Sequence, residues 1–266
     1  MNTGGRTIPF VKASACGNDF LLIDGALAPE DVASFTRRIC DRHEGVGADG
    51  VEWILPHFSA DVEIRLINAD GSPAEISGNG TRCVAAYLCS TRGKERMSIL
   101  TGAGMKICSL IGRKDSEYEF EMEMGAAVVE KELALLVDGK EVRGIPVSMG
   151  NPHFVVFVSD FAANWQARAA ALQRNPQFPQ GVNIELVSPR GRHDVNVVFF
   201  ERGVGETRSS GTGSCASAAA AMVSGRAESP VRLHAPGGTQ TVRQEGKHLF
   251  LRGQARLVCR GEFLLS

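Results

Sequence analysis

Two short segments of the chain set hydroxyls and glycines in an order that suits anion binding: Ser77-Gly78-Asn79-Gly80-Thr81 and Ser210-Gly211-Thr212-Gly213-Ser214. Each leads into a run of small, alanine-rich residues, so each reads as the start of a helix. The first N–H groups of a helix lack partners within it, and the positive end of its dipole favours negative charge. A carboxylate is the ligand such a start would take, with Gly78, Asn79, Gly211 and Thr212 supplying donors. One such segment alone is most simply a serine N-cap followed by turn-forming glycines. Two of them, related by a repeat, point instead to helix N-termini facing one cleft.

The repeat has a period of 133 residues, half of the 266-residue chain. Gly17-Asn18 recurs as Gly150-Asn151, Ser77-Gly78-Asn79-Gly80 as Ser210-Gly211-Thr212-Gly213, and Glu52 as Glu185; the amphipathic segment 29–43 falls close to 161–175. Several matches at one offset and in one order argue for two homologous halves. In the first half the residue pattern predicts strands at 8–15, 20–24, 51–55 and 62–68 and a helix from about Pro29 to His43. The Ser77 helix then runs to about Thr91, with a β meander from Met97 to Glu123. In the second half it predicts strands at 144–149, 154–159, 195–201, 231–235, 240–244 and 248–256, and helices near 160–174 and 211–224. Many alternating strands with few helices imply an α+β fold. The domains are expected at 1–124, completed by 255–266, and at 125–254.

Composition narrows the function classes. Lys plus Arg at 29 against Asp plus Glu at 30 leaves a net charge of −1, so no charge excess marks a nucleic-acid or membrane-surface partner. The polar opening Met1-Asn2-Thr3-Gly4-Gly5-Arg6-Thr7 has no apolar core for a signal peptide, and the expectation is a cytoplasmic protein. Seven cysteines with no CxxC pair, and histidines without ligand spacing, suggest neither a disulfide framework nor a metal site.

With these residues in view, the chain resembles the diaminopimelate epimerase family of cofactor-independent amino-acid epimerases. The resemblance rests on Ala15-Cys16-Gly17-Asn18-Asp19-Phe20, Gly45-Val46-Gly47-Ala48-Asp49-Gly50, Asn68-Ala69-Asp70-Gly71-Ser72 and Gly78-Asn79-Gly80-Thr81-Arg82-Cys83. It continues through Gly150-Asn151-Pro152-His153-Phe154, Gly181-Val182-Asn183 and Glu201-Arg202-Gly203-Val204-Gly205-Glu206-Thr207. It implies two β-barrel-like domains, each around a central helix, a homodimer, no cofactor, and an amino-acid substrate with two carboxylates. The site it implies has Ser77 and Ser210 at the two acid–base positions, aided by His153 and Glu201. Asn18 would contact the reacting end, and Asn68, Asn151, Asn183, Glu201 and Arg202 the distal end. A planar Arg fork suits a carboxylate, and a glutamate suits an ammonium.

The chain departs from the family where it matters most, because the two acid–base positions carry cysteine in the family and serine here. A thiol, with an ordinary pKa of about 8.5, becomes a thiolate at a helix N-terminus, whereas a serine hydroxyl ionises far less readily without a neighbouring base. Three accounts are open at this point. The pair could be a replacement that holds substrate without turnover; the chemistry could differ, elimination for instance needing a base on one face only; or His153, Glu206 or Glu201 could activate the serines. Cys83 and Cys215 lie more than a turn inside their helices and read as buried small residues. A second departure is Gly50, where the family often carries glutamine.

Overall fold

A computed structural model of the chain describes residues 7–265; the opening segment 1–6, on which the leader expectation bears, and residue 266 lie outside them. In chain order the elements are β1 (Thr7–Ala15), β2 (Asn18–Asp24), α1 (Val32–Cys40), β3 (Gly50–Leu55), β4 (Val62–Asn68), β5 (Pro73–Ala74), α2 (Gly78–Arg92), β6 (Arg96–Thr101), β7 (Gly104–Lys114) and β8 (Glu117–Ala126). There follow β9 (Val128–Val129), β10 (Leu133–Val137), β11 (Lys140–Ser148), β12 (Pro152–Phe157), α3 (Trp165–Gln173), β13 (Asn183–Gly191), β14 (Asp194–Glu201), β15 (Gly205–Thr207), α4 (Gly211–Val223), β16 (Val231–Ala235), β17 (Gly238–Glu245) and β18 (His248–Leu264). The fold is mixed α+β.

The chain forms two compact units: one runs up to Met122 and takes the chain back from Gly253 onward, and the other is Glu123–Arg252. Within the first, β2 pairs in parallel with β3 (Phe20 opposite Gly50) and β3 antiparallel with β4 (Gly50 opposite Asn68). Parallel neighbours need a crossover; α1 makes the one between β2 and β3, and α2 the one between β4 and β6, which pair in parallel at Val62 and Ile99. The returning end of β18 pairs with β1 from Thr7 opposite Leu264.

The second unit repeats this plan in its own residues. β12 and β13 pair in parallel with His153 opposite Asn183, β13 and β14 antiparallel, and β14 and β16 in parallel; α3 and α4 make the crossovers. The bounds of α1 and α3, and of β1 and β11, differ by the 133 residues of the sequence repeat.

Each central helix is buried nearly all round, which explains its composition. A helix enclosed by strands presents no polar face, and α4 meets this with Cys215, Ala216 and Ala218 to Ala221, packed on Val187, Val197, Leu233, Val242 and Leu251. Small residues let the strands close tightly on the helix. The outer helices are two-faced instead: α1 buries Phe35, Ile39 and Cys40 against Leu21, Ile23, Val51 and Trp53.

Several boundaries differ from the sequence expectation. The helix predicted from Pro29 begins at Val32, because Asp31 caps it by accepting from the Ser34 N–H at 2.9 Å. α3 is likewise shorter than 160–174. β13 has no counterpart among the predicted strands, since Glu185, Pro189 and Arg190 interrupt its apolar run, and the last strand continues to Leu264 rather than stopping at Arg256.

Candidate active site

Both helix starts form as serine caps. Ser77 and Ser210 have extended backbones, and the Oγ of each accepts from the N–H three residues on, Gly80 and Gly213 respectively, at 3.1 Å in both units. The caps use those donors, so Gly78 and Asn79, and Gly211 and Thr212, occupy the first two helical positions ahead of them. A side chain on Gly78 or Gly211 would make only ordinary contacts.

The second glycine of each helix start, Gly80 or Gly213, is glycine for a steric reason. A Cβ on Gly80 would overlap Glu52 Oε1, and one on Gly213 would come within 2.8 Å of Glu185 Oε1 and 2.9 Å of Phe199. A buried carboxyl therefore packs directly behind each cap, from β3 in one unit and β13 in the other. Burial alone pushes the Glu52 carboxyl up to about 8. Burial also raises that of Glu185, partly offset by His153.

In the second unit the polar residues are joined. Ser210 Oγ donates to Glu201 Oε1 at 2.7 Å. Glu201 ends β14, which brings it beside the helix start. His153 Nδ1 lies 2.7 Å from Glu185 Oε1 and its Nε2 3.0 Å from Asn151 Oδ1, and Asn151 Nδ2 donates to Thr212 Oγ1 at 3.4 Å. A chain Glu185–His153–Asn151–Thr212 thus runs from the core to the first turn of α4. Both His153 nitrogens are engaged within it.

In the first unit, Asn79 Nδ2 donates to Asn18 Oδ1 at 2.6 Å, as Asn151 reaches Thr212 in the other, and Asn18 Nδ2 donates to Asp49 Oδ2 at 3.0 Å. Arg42 bridges Asp49 at 2.7 Å and Asp19 at 2.8 Å, and Lys12 reaches Asp19 at 3.0 Å. Burial works against the Asp19 charge, but the bonds from Arg42 and Lys12 outweigh it and hold its carboxyl below the usual range. Arg82, fully buried on α2, donates to Asn79 Oδ1 and to Cys16 Sγ. None of Asp49, Arg42, Lys12 or Arg82 is among the residues singled out above. Asp19, Asp49 and Arg82 do lie inside the quoted motifs, which was their available signal.

The remaining expected residues divide. Asn183 is nearly buried and its amide serves the backbone, donating to Pro152 O at 3.0 Å and accepting from the Arg202 N–H at 2.9 Å. Arg202 donates from Nη1 to Gln180 O at 2.9 Å, its stem lying over Gly181. Asn68 closes β4 and donates to Ser72 Oγ at 3.1 Å. Glu206 accepts from Gln166 on α3 at 3.0 Å, while the carboxylate bonded to Ser210 is that of Glu201. Cys83 and Cys215 are fully buried, and burial drives the Cys83 thiol well above its ordinary range. At Gly50 a Cβ would lie 2.7 Å from Ile67 O, so a larger residue requires the strand pair to shift. Among the described residues no cluster of three or more His, Cys, Asp or Glu could hold a metal ion, and no helix is long and apolar enough to cross a membrane.

A sequence profile described as "Diaminopimelate epimerase" matches residues 10–130 and 145–258. The chain belongs to the diaminopimelate epimerase family. Its relatives include the diaminopimelate epimerase of Pelotomaculum thermopropionicum, 37% identical with 96% of this chain and 98% of the relative covered, and that of Desulfitobacterium hafniense, 34% identical with 96% and 97% covered. Diaminopimelate epimerases are isomerases. Similar folds occur in a hydroxyproline epimerase from Agrobacterium vitis (TM-score 0.69, 18% identity, 98% of this chain and 92% of that one) and a methylitaconate-delta-isomerase (TM-score 0.70, 15% identity, 98% and 96%).

Proposed function

We propose that the chain epimerises LL- and meso-diaminopimelate by two-base proton transfer at the α-carbon, the first unit supplying Ser77 and the second Ser210. The observation that carries this is the 2.7 Å bond from Ser210 Oγ to Glu201. It gives a serine standing at a cysteine position of the family a carboxylate able to take its proton, the arrangement that makes a weak hydroxyl usable as a base. N–H groups at the first turns of α2 and α4 favour the substrate carboxylate and the negative charge that develops once the α-proton leaves. Asn18 and Asn79, tied to each other, and Thr212, tied to Asn151, offer polar groups to the reacting end. Arg202 favours a substrate with a second carboxylate over a monocarboxylic amino acid. A homodimer in the cytoplasm belongs to the same proposal.

The test is deuterium incorporation at the α-carbon of LL-diaminopimelate in D2O, followed by NMR with the isomers separated by chromatography. Exchange with inversion is expected, and Glu201→Gln should lower it about 10²-fold with the fold unchanged. Folded protein that binds the diamino diacid but exchanges no α-proton would overturn the reading.

A second reading is favoured by one feature: a carboxylate is bonded to Ser210, whereas Ser77 Oγ is engaged with the Gly80 N–H. A base on one face suffices for β-elimination. Formation of a keto acid or unsaturated product from a suitable amino acid, without inversion, would decide for it.

A further inference from the structure

Arg82 has no exposed surface, yet an arginine keeps its charge wherever it is buried. A buried cation is strongly disfavoured unless an anion or a full set of acceptors meets it. Among the described residues it meets two uncharged acceptors, both through Nη2: Asn79 Oδ1, and Cys16 Sγ at 3.7 Å. Its Nε and Nη1 have no hydrogen-bond partner there, and no carboxylate forms an ion pair with it. The buried carboxyl of Glu52 does not supply one, since burial alone shifts it, with no contribution from a cation.

The guanidinium lies under the first turn of α2. Side chains of a helix lean toward its N-terminus. Arg82, four residues on from Gly78, accordingly brings Nη1 to 4.0 Å from where a methyl on Gly78 would stand. The returning strand β18 makes room for it, because a Cβ on Gly253 would come within 2.9 Å of Cζ and Nε. Asp49, joined to this turn through Asn79 and Asn18, is bridged by Arg42 and so has its own counter-charge. The second unit is built the other way. The repeat places Cys215 where the first unit has Arg82, and the acid Glu201, bonded to Ser210, stands beside the start of α4. One helix start is thus backed by a cation without a counter-ion, and the other is accompanied by a carboxylate.

Resting on the epimerase reading above for the natural ligand, we propose that the start of α2 is a carboxylate site within the first unit, with Arg82 as the positioning residue that supplies its charge. With no exposed surface, Arg82 acts from behind the turn. It holds Asn79 by its oxygen and adds a full charge to the partial one at the helix N-terminus, whose N–H groups make the contacts. A bound carboxylate in turn gives the guanidinium the anion that its own unit withholds. The two starts then divide their roles: the carboxylate of an amino acid belongs to α2, and the start of α4, beside Glu201, holds one weakly.

The test titrates 15N-labelled protein with sodium acetate, with acetamide as the neutral control, and follows the backbone N–H resonances of Gly78 and Gly211. Acetate should shift Gly78 saturably with a Kd about 10-fold or more below that at Gly211, and acetamide should shift neither. Equal Kd values at the two glycines, or a tighter one at Gly211, overturn the proposal. R82M should weaken the acetate response of Gly78 about 10-fold and leave that of Gly211 unchanged, whereas R82K, which keeps the charge, should retain most of it. A packing role alone would cost R82K and R82M alike. R82M that folds and binds acetate like the wild type, or R82K that loses as much as R82M, overturns the proposal. If R82M does not fold, the comparison of Gly78 with Gly211 in the wild type decides. Acetate binding needs no turnover, so its failure leaves the epimerase reading standing, and absence of α-proton exchange counts against that reading alone.

Discussion

Ser77 and Ser210 cap their helices with bonds of the same length to the N–H three residues on, but what stands behind the two caps differs. In the second unit, Glu201 accepts from the serine, and His153 is hydrogen-bonded to the buried acid Glu185 while reaching Asn151. In the first, Asn68 and Phe20 occupy the matching positions, and Glu52 is left buried without a partner. A duplication conserves backbone plan and helix caps because these follow from local spacing. The titratable groups around each cap are set by single residues, and so two equal starts acquire unequal acid–base surroundings.

Replacing both serines with cysteine would test this difference most severely. Ser77→Cys with Ser210→Cys should raise α-proton exchange by about 10³-fold, because a thiolate at a helix N-terminus no longer depends on a carboxyl partner. If the two caps really differ in their partners, Ser77→Cys alone should contribute more of the gain than Ser210→Cys alone. Equal gains, read by deuterium incorporation, would break the comparison.

Stability offers a smaller, independent contrast. Glu185→Leu removes one member of a buried pair and leaves His153 unmatched, which should destabilise the protein by about 3 kcal/mol in denaturant unfolding. Glu52→Leu removes an acid that has no partner and should instead stabilise it near neutral pH. The sign follows from linkage: the folded pKa of Glu52, about 8, lies above its unfolded value, so its penalty is absent below about pH 4.5 and grows as pH rises toward 8. Between pH 4.5 and 7 this amounts to about 3 kcal/mol at most, and Glu52→Gln should flatten that part of the pH profile. A Glu52→Gln profile that falls as steeply as the wild type would show that other groups carry the slope.

The smallest expected effects are those of the caps themselves. Ser77→Ala should cost about 1 kcal/mol as an ordinary lost N-cap, and Ser210→Ala somewhat more, since it also strips Glu201 of its donor. Thermal melts of the two variants would read the difference, and equal losses would mean that the Ser210–Glu201 bond adds nothing to folding.

Much of the fold could be read from residue pattern because its causes are local. Apolar alternation marked most strands, and the small-residue runs marked the two central helices. β13 escaped because Pro189 and Arg190 near its end, together with Glu185 in its buried stretch, leave no clean apolar alternation to mark it. The helix start at Val32 rather than Pro29 turned on one cap bond from Asp31.

The site was legible in outline for the same reason. By itself the sequence determined the 133-residue duplication, the two capped helix starts, the family, and the exchange of cysteine for serine, all of which depend on residue type and spacing along the chain. Only the tertiary structure decided that Gly80 and Gly213 are glycines because carboxyls press on them, that Glu201 rather than Glu206 is bonded to Ser210, and that Asn183 is spent on the backbone. These outcomes depend on distance and burial between residues from different strands and helices. A carboxyl paired with a histidine and one alone in the core are the same letter in the chain, and packing alone makes them chemically different groups.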